Sequence, residues 1–423
     1  KKFKSQSKSF LVLNPIRGYK EWEETFKQLN KKLGFNILIH DFEFEKKFVS
    51  YLLPLNKVEK EYVNPITGET QKQGVPFYNY TSKKQNKFDN YLIENYKKAL
   101  QIYLKFLKEN YNIKYIIAFG IHYKSEVFWD VISKNLNIKY IIYHKESQFG
   151  SSDVIEFHKK MLSKVNPFKG YRIFVYNEIA RKFFIDSGYV NKKKIIVNGP
   201  IRTDKLYKQN KMMKTKEKKI ILFYIFGTGI TLFHRTNQSD MTHSEFKDYG
   251  WVKLLENTYK NLFKLAKEFK NYKFICKGKY KGLIEKNHED MEKKFGKLPN
   301  LIFRDKEKNY EFLKNAKVVV SFGSTVIFEA MMLKKTVVVP FFNEALEKKY
   351  KKHVPFAEFK KVDFAKKKEK DFYLSIKKII KNKTNKVNHN LFNKSIIKYV
   401  GQNDGGNAKR FIDFIKQDQK NPI

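Results

Sequence analysis

Short β-branched or aromatic runs alternate with stretches of helical period along almost the whole chain. SFLVLNP (9–15) predicts a strand, and GYKEWEETFKQLNKKLG (18–34) an amphipathic helix ending at Gly34. FNILIHDF (35–42) predicts a second strand. Residues 54–82 then carry Pro54, Pro65, Gly68, Gly74 and Pro76 with few periodic apolar positions, which predicts a long loop. A helix over 86–110, strand 115–119, helix 125–135 and strand 139–144 follow. YRIFVYNEIARKFFIDSG (171–188) predicts another strand and helix, and KKIIVNGPIRTDKL (193–206) a strand running into a loop. After the polar, Lys-rich stretch 207–218 the pattern restarts: strand 219–226, helix 251–270, strand 272–279, strand 300–304 and helix 308–315. The closing helices are expected at 371–382, 391–399 and 406–417. Near-continuous apolar strands separated by helices predict parallel sheets covered on both faces. The expected organisation is therefore two α/β domains, 1–206 and 219–400, joined by a linker at 207–218, with 401–423 as a terminal helix.

The densest pattern lies at Lys317 to Pro340, KVVVSFGSTVIFEAMMLKKTVVVP. It reads as strand, turn, helix, strand. In the turn, Gly323 allows a tight bend and Ser321, Ser324 and Thr325 supply hydroxyls. Backbone N–H groups gathered at such a turn suit an anionic phosphate. Glu329 follows five residues after Ser324. A capping box would need the acid at 327 or 328, so Glu329 serves another purpose: contact with a ligand, or pairing with a Lys. Earlier, HKESQFGSSD (144–153) is the most polar cluster of the first half, placed where an α/β sheet displays ligands at a strand's carboxyl end. His144, Glu146 and Asp153 are its acid–base candidates, with Asp153 equally suited to capping a helix. His122, after strand 115–119, occupies the equivalent place on the neighbouring strand. Gly227, Thr228 and Gly229 form the first turn of the second half, where glycines let a ligand approach the backbone.

The pattern GST-x-x-x-EA, followed by a short helix and a Val-rich strand ending in Pro, resembles the donor site of GT-B glycosyltransferases, more narrowly those of bacterial surface-carbohydrate and capsule biosynthesis. That resemblance implies two Rossmann-like domains facing a central cleft, with a glycan or glycolipid acceptor on the first and a nucleotide-activated sugar on the second. It places the donor diphosphate on Ser324 and Thr325 and the ribose on Glu329. Lys277 stands where related enzymes carry a basic residue for the donor phosphates. Arg202 and Asp204 lie in a segment similar to the link between the two halves, where a hinge ion pair is the plainer role. A His-Lys-Glu loop similar to 144–146 also occurs in these enzymes, and Glu146 is the first choice for the base that deprotonates the acceptor. The terminal GGNAKRFIDFIKQ resembles the helix that in this fold packs back on the first domain. No metal or other cofactor is expected. UDP-sugar 2-epimerases use a similar turn, so an epimerase is the rival enzyme.

Composition adds two constraints. With 42% hydrophobic residues in 423, the chain has enough apolar surface for two cores. No apolar run approaches the ~20 residues of a membrane span, and Cys276 is the single cysteine, as fits a cytoplasmic protein. No signal segment is read at the start, although Lys1 is not an initiator Met. The formal charge of +44 is spread along the chain. It favours attachment to the anionic inner face of the cytoplasmic membrane over specific nucleic-acid binding, for which no module is recognisable. A non-enzymatic basic protein that binds polyanions or membranes is the remaining alternative.

Overall fold

A computed structural model of the chain describes residues 7–53, 60–63, 70–73, 87–121, 126–145, 150–212, 218–228, 250–278, 283–304, 309–357, 365–382 and 389–420. In the first half, β1 (Ser9–Val12), β2 (Asn36–Ile39), β5 (Ile113–Ala118), β6 (Lys139–Tyr143), β7 (Arg172–Val175) and β8 (Ile195–Val197) build a six-stranded sheet. Its order is β2-β1-β5-β6-β7-β8, and every pair is parallel. Both faces are covered, as continuous apolar runs require. One face packs Leu11, Ile116 and Ile142 against Tyr96, Leu100 and Leu104 of helix Lys87–Tyr111. The other packs Phe10, Ile117 and Phe174 against Trp22 and Phe26 of helix Pro15–Leu33.

The second half repeats the scheme. β9 (Ile220–Tyr224), β10 (Lys273–Lys277), β11 (Leu301–Arg304), β12 (Val318–Ser321), β13 (Thr336–Pro340) and β14 (Ala365–Lys366) form a parallel sheet of order β11-β10-β9-β12-β13-β14. The two Val runs are adjacent central strands, with Val319 opposite Val337. Ser321 sits beside Tyr224 at the carboxyl edge.

Three local expectations change. The second strand stops at Ile39, because Asp41 caps a helix over Phe42–Leu52 by accepting the Phe44 N–H at 2.9 Å. Within the expected long loop, β3 (Lys60–Val63) and β4 (Thr70–Gln73) pair antiparallel. Residues 207–212, inside the expected linker, continue the helix Arg202–Met212.

Helix Asn407–Lys420 returns to the first sheet. Phe411 lies 4.9 Å from Trp22 and 5.2 Å from Phe174, centroid to centroid. Asp418 accepts from Tyr115, from Tyr171 and, at 2.8 Å, from Lys139.

Candidate functional site

Loops from the carboxyl ends of the two sheets meet, which is where open α/β sheets bind ligands. Gly150, beyond β6, accepts the Phe356 N–H at 2.6 Å, and the Asp153 N–H reaches the Lys352 carbonyl at 3.2 Å. A further contact joins the halves where Arg202, at the start of helix Arg202–Met212, stands 3.8 Å from Glu329 of the second half.

Glu329 belongs to helix Val326–Met332, which follows β12 through the turn 322–325. Gly323 takes φ 70°, the left-handed conformation that a glycine adopts without strain. Ser324 Oγ accepts the Val326 N–H at 3.4 Å, and Thr325 is the cap residue without a side-chain hydrogen bond. The helix is only seven residues long, so its dipole is small and the turn's own N–H groups are the stronger anion donors. Ser321, by contrast, is fully buried beneath the turn, and its hydroxyl has no hydrogen-bond partner among the described residues. A ligand cannot reach it without displacing the turn.

Glu329 is largely buried. Burial raises its pKa, while Arg202 lowers it and the Glu21 carboxylate raises it further. Glu21, on helix Pro15–Leu33, accepts from Lys145 at 2.7 Å, and both side chains remain about a third exposed. Glu21, Lys145, Arg202 and Glu329 therefore form one charged group spanning the two halves. Tyr224, ending β9, is within electrostatic reach of Glu329, and its buried hydroxyl has no hydrogen-bond partner among the described residues. Sequence reading missed Glu21, Lys145 and Tyr224. Only Lys145 carried a signal, lying inside the polar cluster at 144–153.

The remaining candidates scatter. Lys277 ends β10 but is buried, its ammonium 3.3 Å from the Gly278 carbonyl. Gly227 opens the expected turn, and no described residue comes within 4 Å of where a side chain would begin. Thr228 accepts the Trp251 N–H at 2.8 Å through its carbonyl. The N-terminus of the next helix, Val252–Glu268, is already filled by buried Glu344, which accepts from Lys253 and Leu254 at 2.6 and 2.8 Å. Arg202 and Asp204 do not form the expected hinge ion pair. Asp204 instead accepts the Asn407 and Ala408 N–H groups at 3.1 and 2.7 Å and caps the last helix. Asp153 stands 3.1 Å from His353 across the halves. His144 is turned into the core, its ring 5.0 Å from Phe184. Burial, with His158 nearby, pushes its pKa down to about 3, too weak a base for neutral pH. His122, Glu146 and Gly229 lie outside the described residues. Among the described residues, no group of three or more His, Cys, Asp or Glu side chains is arranged to hold a metal ion.

No family model matches the chain, and no curated protein does. Solved structures do. UDP-GlcNAc 2-epimerase from Neisseria meningitidis, bound to UDP-GlcNAc, aligns at TM-score 0.53 and 12% identity over 97% of this chain and 99% of its own. The S. aureus MnaA–UDP structure aligns at TM-score 0.51 and 12% identity over 98% and 97%. The fold is GT-B: two Rossmann-like domains facing a central cleft.

Proposed function

We propose that the protein acts on nucleotide-activated sugars, and that it transfers the sugar to a surface-polysaccharide or glycolipid acceptor. The observation that carries the proposal is the Gly323 turn set beside the Arg202–Glu329 pair at the meeting of the two sheets. Turn amides and Arg202 offer positive potential to a diphosphate, and Glu329 offers an acceptor to a ribose hydroxyl. Departure of a nucleoside diphosphate leaves negative charge on its phosphate. Donors fixed where that charge grows stabilise the transition state without reorganising. The chemistry also needs a base for the acceptor hydroxyl, and Glu146 is our assignment from the sequence. No metal is invoked, because the cationic side chains and N–H groups supply the charge.

One observation favours a second reading, a UDP-sugar 2-epimerase. Such an enzyme needs acidic groups facing the sugar from both halves, and Glu21 and Glu329 lie on opposite walls within electrostatic reach of each other. Both solved structures named above are also of UDP-binding proteins, one described as such an epimerase.

A thermal-shift series with UDP, GDP, CDP and CMP tests the shared premise, since a ligand that binds only the folded state raises the melting temperature. We expect one nucleoside diphosphate to stabilise clearly. Stabilisation by none would remove the proposal. Incubation with UDP-GlcNAc alone then separates the readings. An isomerised sugar without acceptor selects the epimerase, whereas nucleotide release that depends on an added glycan acceptor selects transfer.

A further inference from the structure

Helix Lys87–Tyr111 is apolar on two opposite sides, and only one of them meets the core. Ile93, Tyr96, Leu100, Leu104 and Leu107 are buried against the first sheet. Opposite them, Tyr91, Ile102 and Phe106 are exposed at 64%, 72% and 52%. At 100° per residue these three, with Lys98 and Lys105, fall within an arc of about 100° centred away from the buried stripe. The neighbouring helix Phe42–Leu52 extends the face. Its Phe44 and Phe48 rings pack 5.4 and 5.7 Å from Tyr103, yet Phe44 stays 42% exposed and Tyr51 87%. One surface of the first half thus carries Phe44, Tyr51, Tyr91, Ile102 and Phe106.

We propose that this face docks on an anionic lipid bilayer. Aromatic and aliphatic side chains flanked by lysines suit the headgroup boundary. There the rings enter the acyl edge, while Lys98 and Lys105, one turn either side of Ile102, keep their ammonium groups among anionic headgroups. Of the acids on these helices, Glu94 and Glu43 are paired with Lys97 and Lys46 at 2.7 and 2.9 Å. Glu109 falls within the same arc, 3.9 Å from Lys105, and offsets part of its charge, so Lys98 carries the arc's net positive charge. Charge also selects the occupant. A chain of +44 repels a second copy of itself but is attracted to a negative surface. A polynucleotide would satisfy the charge but leave Ile102 and Phe106 uncovered. No helix among the described residues is long and apolar enough to cross a membrane, so the contact is peripheral.

The inference is independent of the nucleotide reading. Its test is sedimentation of the full chain with phosphatidylcholine vesicles, with and without phosphatidylglycerol. The wild type is expected to bind the anionic vesicles at least ~10-fold better, and to release as salt rises. Ile102→Glu combined with Phe106→Glu should lower partitioning ~10-fold or more without changing the melting temperature, since both side chains are exposed. Lys98→Glu with Lys105→Glu checks the same face through charge alone. Ile397→Glu, at an equally exposed position on the second half (61%), should change nothing. Three outcomes would overturn the proposal: no vesicle binding by the wild type, equal binding by the Ile102/Phe106 variant, or an equal loss with Ile397→Glu. Light scattering that shows the Ile102/Phe106 substitutions dissolving an oligomer would instead assign the face to a second copy.

Discussion

Glu329 is the residue whose role was most open in the sequence, and its partner is Arg202 rather than a lysine. At 3.8 Å the pair is looser than a charge-assisted hydrogen bond of about 2.8 Å, so a ligand can enter without breaking a tight contact. Both side chains are about a fifth to a quarter exposed, and the pair lies between a surface bridge and a buried one. Glu329→Ala is therefore expected to cost the apo protein roughly 1–3 kcal/mol, less than loss of a fully buried partner. The same substitution should weaken nucleotide binding by about as much. Melting curves with and without nucleotide read both effects. A large apo loss with full nucleotide stabilisation would make the acid purely structural. This pairing was invisible in the sequence because the two residues are far apart in it, and any one of 87 Lys and Arg residues could have been the partner. The same excess hid Lys145 and its partner Glu21. His144 makes a second residue-scale prediction. Its pKa is depressed from 6.5 to about 3 by burial, so the unfolded chain binds a proton there that the folded chain refuses. Stability from this group is present above pH 6.5 and falls as pH drops toward 3, at up to about 1.4 kcal/mol per pH unit. His144→Gln should flatten the melting temperature against pH between 6.5 and 4. An unchanged profile would show that another group dominates.

At the scale of elements, the central strands and most long helices were legible because their periods are strong: Val runs without charges, and apolar residues three and four apart. Helix Phe42–Leu52 was not, since the apolar run FNILIHDF hid the cap at Asp41, although Asp followed by two Glu residues in the first turn is a helix-start signal. Asp204 was misjudged for a different reason: its partners lie at Asn407 and Ala408, and a cap across such a separation leaves no local pattern. The connection into the last helix also turns on Gly401, which no periodicity marks. Its φ is +105°, and a Cβ there would lie 1.9 Å from the Tyr176 carbonyl oxygen, a backbone atom that cannot swing aside. Gly401→Ala is expected to destabilise by roughly 3 kcal/mol or more, combining backbone strain with a shift at the contact. Hydrogen exchange should show helix Asn407–Lys420 losing protection before the second sheet does. Retention of wild-type protection would mean that the chain bends freely at this point.

For the whole molecule, the sequence implied two sheets but not how firmly they hold together. Besides the returning helix, the polar contacts that join the halves among the described residues include Phe356 to Gly150, Lys352 to Ser152, Asp153 and Glu156, His353 to Asp153, Tyr399 to Asn177, and Arg202 to Glu329. Each half has its own core, but Ile179 and Leu206 of the first half pack against the second, so opening breaks these contacts and uncovers a limited apolar seam. Asp153 contributes two of them, one through its backbone, which substitution keeps, and one through its carboxylate, which substitution removes. Asp153→Ala should therefore shift the population toward an open form by the worth of that one carboxylate–imidazole contact, about 1 kcal/mol. If nucleotide binds the closed form, its apparent affinity falls by the fraction of molecules still closed, on the order of tenfold for 1.4 kcal/mol. Small-angle scattering should report a larger radius of gyration for Asp153→Ala without ligand, and nucleotide at saturation should restore the wild-type value. Asp153→Asn, which keeps the shape and removes only the charge facing His353, should fall between. Scattering that is identical for wild type and Asp153→Ala would show that the returning helix, not the cleft contacts, sets the angle between the halves. In that case any affinity loss would have to come from direct contact between Asp153 and the ligand.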